Sequence, residues 1–212
     1  MAMSLPPLTP EALRNGILEM CTTGIEMLRL TRDAFRHYSA STIEQVARLG
    51  HDLHFKEKRL TDHVAMQLRE APWVLGSAEY LAFQPAALER IGDQVESLAR
   101  CVGAMHRDGI QFSERATIET MDLFSRGADL LTEIATAIRT PDLVLLVRIH
   151  EEGSAFQTLC DEAAFHHEER VIRGTCTPRA SSVFLAMLDF SREIERYVHR
   201  IIAAVEKTIP AQ

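Results

Sequence analysis

Residues 88–93 read Leu88-Glu89-Arg90-Ile91-Gly92-Asp93, and residues 188–193 read Leu188-Asp189-Phe190-Ser191-Arg192-Glu193. Each stretch places two carboxylates four residues apart, so both acids project from one face of a helix, one turn apart. The two stretches are separated by 100 residues, and the same offset aligns Arg100 with Arg200. We infer an internal duplication and expect residue n to correspond to residue n+100 in two similar halves.

The composition of the chain favours a helical protein that is soluble in water. Its 212 residues are 46% hydrophobic, with only 10 Gly and 8 Pro, which suits long helices around a sizeable core. The net charge of −7 leaves no basic excess for phosphate backbones, so we predict no nucleic-acid partner. We find no signal peptide, no apolar run long enough to span a membrane and no CxxC pair among the four cysteines.

Helix start signals divide the chain into three plus three predicted helices. Thr9-Pro10, Thr140-Pro141 and Thr177-Pro178 each offer an N-cap threonine followed by proline in the first turn, and Ser41 to Glu44 has the spacing of a capping box. Pro85 predicts either a kink or a helix that begins there. We predict an all-α fold of two tandem three-helix bundles. Its segments are a Pro-rich lead at 1–9, a first repeat at 10–109 and a second repeat at 110–208.

The carboxylate pairs lie opposite the apolar stripes of the predicted third and sixth helices, and we expect them to be exposed. Like charges one turn apart cost about 0.2–0.5 kcal/mol per pair, which calls for a reason. One reason is a hard cation, or a small metal cluster, held by carboxylates from neighbouring helices. The alternative is a solvated helix face, on which Arg192 and Arg196 balance the second pair.

The sequence at 88–93, inside the third helix of a three-helix repeat, resembles the signature of the PhoU family of phosphate-uptake regulators. The degenerate copy at 188–193, the length of the chain and the three-plus-three organisation fit that family as well. The resemblance extends from about residue 11 to residue 207. It implies two antiparallel three-helix bundles and a cytoplasmic, non-enzymatic protein that restrains phosphate transport or its sensor kinase.

The resemblance also implies where metal would bind. In some members of the family, paired acidic motifs on neighbouring helices hold surface clusters of iron or zinc. The third-helix motif carries over to Glu89 and Asp93. The positions aligned with the partner motif on the second helix are Gly50 and His54 in the first half and His150 and Ser154 in the second. The predicted ligands are Glu89, Asp93, Asp189, Glu193, His54 and His150.

The partners implied by the resemblance are an integral-membrane phosphate transporter or a histidine kinase. Contact with the membrane would then occur only through that partner, and a homodimer is compatible with the family. The chain is also similar to the PhoU-like cytoplasmic regions attached to sodium–phosphate cotransporters, and the Pro-rich lead would suit a linker from such a membrane part.

Other residues support weaker hypotheses. Glu57 falls within the apolar stripe of the second helix, where we expect an arginine partner or a metal. His166-His167 next to Glu168-Glu169 is a further combination that binds zinc or iron in some proteins, although such clusters are more often surface helix. A ferritin-like di-iron enzyme is the main alternative, but it requires Glu-x-x-His, which this sequence lacks. A phosphotransfer bundle that uses His54 ranks after it.

Overall fold

The computed structural model describes residues 7–209, so most of the predicted Pro-rich lead, residues 1–6, lies outside the described part. Within that part the chain forms six α-helices joined by short connections, and no strand. The helices are α1 (Pro10–Arg36), α2 (Ala40–Glu70), α3 (Gln84–Asp108), α4 (Glu114–Arg139), α5 (Leu143–Ile172) and α6 (Pro178–Glu206). Two short 3-10 helices, Pro72–Val74 and Gly76–Leu81, link α2 to α3. The all-α prediction is confirmed.

Side-chain caps begin five of the six helices. The Oγ1 atoms of Thr9 and Thr177 accept hydrogen bonds from the first turns of α1 and α6, as the Thr-Pro signals predicted. The prediction that Thr140 caps a helix is wrong, because Thr140 ends α4 and the Asp142 carboxylate caps α5 instead. The predicted capping box at Ser41 is also displaced, since Ser39 supplies the cap of α2. Pro85 lies in the first turn of α3, where its missing N–H costs nothing.

One continuous core holds the six helices together. α1 packs against α2, α3 and α4, while α4 packs against α5 and α6, and α3 contacts α6. Buried apolar side chains from all six helices belong to the same cluster. The two three-helix groups therefore share a core. No helix within residues 7–209 has the length and apolarity needed to cross a membrane.

Two glycines on the facing surfaces of α1 and α4 show how the halves are related. A Cβ atom added at Gly24 would lie 3.5 Å from Leu131 Cδ1, and one added at Gly127 would lie 3.6 Å from Leu28 Cδ1. Each half thus places a leucine over the glycine of the other. Gly127 follows Gly24 by 103 residues, and Leu131 follows Leu28 by the same distance. This reciprocal contact has the pattern of a pseudo-twofold axis.

The correspondence between the halves differs from the expected 100 residues. Glu96 on α3 lies over Gly50 on α2, where an added Cβ would overlap its carboxylate, and Glu195 lies over Gly153, at 3.1 Å from an added Cβ. Gly153 thus corresponds to Gly50, and Glu195 to Glu96. The offset is 103 residues between α2 and α5 but 99 between α3 and α6. The constant offset was wrong because the connections differ: residues 71–83 join α2 to α3, whereas residues 173–177 join α5 to α6.

Candidate functional site on helices α2 and α3

A row of three carboxylates on α3 faces α2. Glu89, Asp93 and Glu96 follow the helical repeat on one side of α3, and their side chains are 17%, 45% and 29% exposed. The expectation that Glu89 would be exposed was therefore wrong. α2 covers much of its side chain, although the apolar stripe of α3 faces the core as predicted.

Two glycines allow α2 and α3 to approach closely at this point. Glu96 lies directly over Gly50, and a Cβ atom at Gly92 would overlap the buried side chain of Leu53. Because neither glycine carries a side chain, the carboxylate of Glu96 is pressed onto the α2 backbone. Gly50 therefore acts as a platform for an acidic side chain.

His54 and Glu89, both predicted ligands, meet across the helix pair. His54 Nδ1 lies 3.0 Å from Glu89 Oε1, and the His54 ring is otherwise well exposed. Arg90 lies beside the same acids, with Nε at 3.8 Å from Glu89 Oε2 and Nη1 at 3.1 Å from Asp93 Oδ2. The negative charge of Glu89, followed by the hydrogen bond to Asp93, raises the pKa of Arg90. Arg90 thus offsets part of the charge of Glu89 and Asp93.

Glu96 is the least well compensated acid of the row. Burial raises its pKa, and the charge of Asp93 raises it further, while Arg100 at 3.4 Å acts in the opposite direction. The net shift is upward because the partial loss of water outweighs the exposed arginine. This face therefore carries more negative charge than its own cations balance.

The donor set at this face is short of what a metal ion requires. His54 and Glu89 supply two adjacent donors, but Asp93 is turned toward Arg90. No three His, Cys, Asp or Glu side chains converge to hold a metal ion anywhere in residues 7–209. In this arrangement the residues do not make a complete site. Their role as ligands stays a prediction.

The corresponding residues of the second half are not brought together. Asp189 is exposed and pairs with Arg192 at 3.3 Å, and Glu193 pairs with Arg196. His150 lies against the ring of His199, with 4.9 Å between the ring centroids. The shift in register explains this. With an offset of 99 residues on α6, the places of Glu89 and Asp93 are taken by Leu188 and Arg192.

The sequence analysis missed a buried ion network between α4 and α5. Glu119 is nearly buried, and its carboxylate binds His166 Nδ1 at 2.9 Å and Arg170 Nη1 at 3.0 Å. His166 thus pairs with an acid on another helix. The sequence predicts an arginine partner or a metal at Glu57, but Glu57 is half-buried and accepts a hydrogen bond from Thr61 instead. The signal available in the sequence was the position of Glu119, which falls on the same side of α4 as the buried Ala116 and Leu123.

His167 and Cys176 lie next to this network. His167 is buried, its Nε2 lies 2.8 Å from Ser181 Oγ, and its Nδ1 lies 4.0 Å from Cys176 Sγ. Burial, followed by the charge of Arg170, lowers the pKa of His167. This imidazole is therefore held in its neutral form at neutral pH.

Comparisons with known proteins point in one direction. The model of the PhoU domain matches residues 17–102, which contain most of α1 and α3 and all of α2. A search of curated proteins finds no match by sequence. The fold is similar to the crystal structure of PhoU from Pseudomonas aeruginosa, with a TM-score of 0.83 at 16% identity over 92% of this chain and 94% of that one. It is also similar to the phosphate transport system regulatory protein PhoU from Streptococcus pneumoniae, with a TM-score of 0.80 at 12% identity over 92% of each chain.

Proposed function

We propose that this chain regulates phosphate transport, because the PhoU domain model matches residues 17–102 and the fold is similar to that of PhoU structures. The match over residues 17–102 carries this proposal, because it contains the α2–α3 face on which the partly buried acids converge. The similar structure from Streptococcus pneumoniae is named a phosphate transport system regulatory protein, which supports the same role here. We place the protein in the cytoplasm and assign it a regulatory rather than a catalytic role.

The mode of action that we propose is binding to a partner protein, either an integral-membrane phosphate transporter or a histidine kinase. Support comes from the charge of the α2–α3 face, where the pKa of Glu96 is raised and Glu89 is largely covered. Partly desolvated charges of one sign on a surface favour a partner of the opposite charge. We expect that partner to present a basic surface.

A deletion strain tests the regulatory role. Loss of the gene should change phosphate uptake or phosphate-responsive gene expression, and the wild-type gene should restore both. If neither changes, the proposal fails.

Matched variants then test the face. The pair Glu89→Gln and Asp93→Asn should weaken complementation and co-purification with the transporter or kinase. The pair Asp189→Asn and Glu193→Gln removes the same charge from the other half and should leave both intact. Equal effects of the two pairs would assign the result to net charge and not to this face.

Metal binding is a separate proposal. We propose that iron or zinc binds the first half through His54 and Glu89, with Asp93 completing the set once Arg90 has moved away. The 3.0 Å separation of His54 Nδ1 and Glu89 Oε1 supports it, because two ligands of one ion lie about this far apart. We expect weaker binding at Asp189 and Glu193, whose carboxylates Arg192 and Arg196 already hold.

Elemental analysis of untagged protein, purified without chelator, tests the metal proposal. Wild type should contain iron or zinc, and Glu89→Ala with Asp93→Ala should lose the metal of the first half while keeping its circular dichroism spectrum. The variant Asp189→Ala with Glu193→Ala serves as the control and should lose little. Metal-free wild type from metal-replete cells would reject this proposal and leave the regulatory role standing.

A further inference from the structure

A small cavity of about 50 Å³ lies where the start of α4, the end of α5 and the start of α6 meet. Its polar and charged lining side chains come from α5 and from the segments that precede α4 and α6. The lining includes Gln111, Ser113, His167, Arg170, Cys176 and Thr177. None of these residues belongs to the α2–α3 face.

Arg170 carries an unused donor at this cavity. Arg170 is only 9% exposed, and its Nη1 donates a hydrogen bond to Glu119 Oε2 at 3.0 Å. The guanidinium also lies over the ring of Phe184, 4.8 Å from its centroid, and Phe184 lines the same cavity. Nη2 is buried and finds no hydrogen-bond partner among residues 7–209. A buried charged donor without an acceptor is costly, so it indicates a missing acceptor.

Two helix N-termini face the same space. Ser113 caps α4 and Thr177 caps α6, and both cap residues line the cavity. Each side chain satisfies one N–H, of Ala116 and Ala180 respectively. The N–H groups of Glu114 and Arg115 in α4 and of Arg179 in α6, where Pro178 has none, lack a partner within the helix. The partial positive charge at the start of each helix adds to that of Arg170.

Arg170 is the charged side chain in the lining of the cavity. Glu119 is the buried acid beside it, and Arg115 at 3.2 Å, together with Arg170 at 3.0 Å, contacts that single carboxylate. His167 adds no charge at neutral pH, because its pKa is lowered. Arg115 lies outside the lining, and Glu168 on α5 adds a second negative charge that acts on His167, so the positive character of the cavity rests on Arg170, the charged side chain of its lining, and on the two helix N-termini.

The first half of the molecule shows how the same place is filled when no ligand is needed. With the offset of 103 residues, Gln67 corresponds to Arg170 and Leu8 to Gln111. Leu8 is buried, and its backbone N–H donates to Gln67 Oε1 at 3.0 Å, while Gln67 Nε2 donates to Ala71 O. The chain itself thus satisfies Gln67. Arg170 has no equivalent partner, and Gln111 is exposed.

We propose that this cavity is a binding site for a small tetrahedral oxyanion, with Arg170 Nη2 and the first-turn N–H groups of α4 and α6 as donors. Phosphate and sulfate share the required charge and shape, and the volume suits a free ion. Nothing at this cavity depends on the regulatory role of the α2–α3 face, so either could be absent without the other.

Amide NMR of the full ¹⁵N-labelled chain, titrated with sodium phosphate at constant ionic strength, provides the test. The amides of Arg115 and Ala180 should shift and saturate, and sulfate should reproduce the shifts whereas chloride should not. α1 supplies the internal control, because Thr9-Pro10 repeats the Thr177-Pro178 cap while Gln67 takes the place of Arg170 beside it. The amide of Ala12 should stay in place. Absence of saturable shifts at Arg115 and Ala180 would overturn the proposal and leave water as the occupant.

Two variants add independent evidence. Arg170→Gln should weaken phosphate binding by about tenfold or more, since it removes a charge-assisted hydrogen bond. If that variant does not fold, Thr177→Asp is decisive, because aspartate keeps the cap but repels an anion. Thr9→Asp makes the matched change on α1 and should bind phosphate like wild type. Equal losses in Thr177→Asp and Thr9→Asp, or preference for phenyl phosphate over phosphate, would overturn the assignment to a free ion at this cavity.

Discussion

The two halves of this molecule keep the same helix packing but differ where polar residues are buried. At one place in the bundle, the first half has Gly16, with Leu60 packed against it. The second half has Glu119 at the corresponding position, bound to Arg170. In the other direction, Glu89 and Asp93 of the α2–α3 face have no acidic counterparts on α6, where Leu188 and Arg192 take their places. The duplicated core thus tolerates different polar groups, and each half has acquired its own candidate site.

The contacts between the second and third helices of each half differ as well. Gly92 on α3 packs beneath Leu53, whereas Ser191 takes the corresponding place on α6 and is itself buried. Its hydroxyl donates to Met187 O within the helix. The α2–α3 pair is therefore packed more closely at this point, which presses Glu96 onto Gly50.

The largest contrast should come from the buried polar residues of α2 and α5. Arg170→Met leaves the Glu119 carboxylate buried without its main partner and should lower the free energy of unfolding by about 3–5 kcal/mol. Gln67→Met breaks two hydrogen bonds to backbone groups and should cost about 1–2 kcal/mol. Urea unfolding followed by circular dichroism measures both.

The double variant Glu119→Gln with Arg170→Met controls for the lost packing of Arg170. It should recover part of the loss, because no unpaired charge then remains buried. If Arg170→Met and Gln67→Met cost the same, the ion network contributes no more to stability than the neutral contacts of the first half.

Gly92→Ala should have the next largest effect. Leu53 is fully buried and cannot swing into solvent, so the added methyl forces repacking of α2 against α3. The cost of overpacking should exceed the gain in helix propensity, for a net loss of about 1–2 kcal/mol. Thermal or urea unfolding will measure it. Ser191→Ala is the matched change in the second half and should stay within about 0.5 kcal/mol of wild type. A stabilised Gly92→Ala variant would contradict the prediction, because it would show that α2 and α3 can accommodate a methyl group at Gly92.

The smallest effect concerns Glu96 and Glu195, and its sign should differ between the halves. Because the pKa of Glu96 is raised in the folded state, the folded chain holds this proton more tightly than the unfolded chain. Relative to Glu96→Gln, wild type should therefore lose stability as the pH rises from about 4.5 through the raised pKa. The partly exposed position limits the difference at pH 7 to less than about 1 kcal/mol.

Glu195→Gln should act in the opposite direction. The Glu195 carboxylate accepts a hydrogen bond from Gln157 Nε2 at 2.8 Å, and an amide in its place accepts that bond less strongly. We expect Glu96→Gln to be more stable than wild type at pH 7 and Glu195→Gln to be less stable. Unfolding curves at pH 4 and pH 7 separate the two, and shifts of the same sign would contradict the assignment.

Much of the fold followed from local signals. Thr9 and Thr177 begin helices where they were expected to, and the apolar stripes identify the buried faces. The correspondence between the halves could not be predicted in the same way. A single constant offset does not hold when the connections between helices differ in length. The acid pair at 188–193 repeats the spacing of the pair at 88–93, but the two pairs do not occupy equivalent positions in the fold. Asp189 and Glu193 therefore do not join a shared site.

The candidate sites were harder to predict than the fold. The contact of His54 with Glu89 was anticipated through the family resemblance, although the burial of Glu89 depends on how closely α2 approaches at Gly50. Glu119 and Arg170 are 51 residues apart, and only the packing of α4 on α5 brings them together. Sequence periodicity identifies the face on which a residue lies but not its partner across the interface.

The reciprocal leucine–glycine contact between α1 and α4 is the geometry of an isologous dimer interface, in which one patch meets a second copy of itself. Here both copies are parts of one polypeptide, so their association no longer depends on protein concentration. Covalent joining also releases the copies from identity, since a substitution in one half is no longer repeated in the other. A carboxylate face could thus arise on one side of the axis and a buried arginine on the other, a division of labour that a symmetric homodimer cannot adopt.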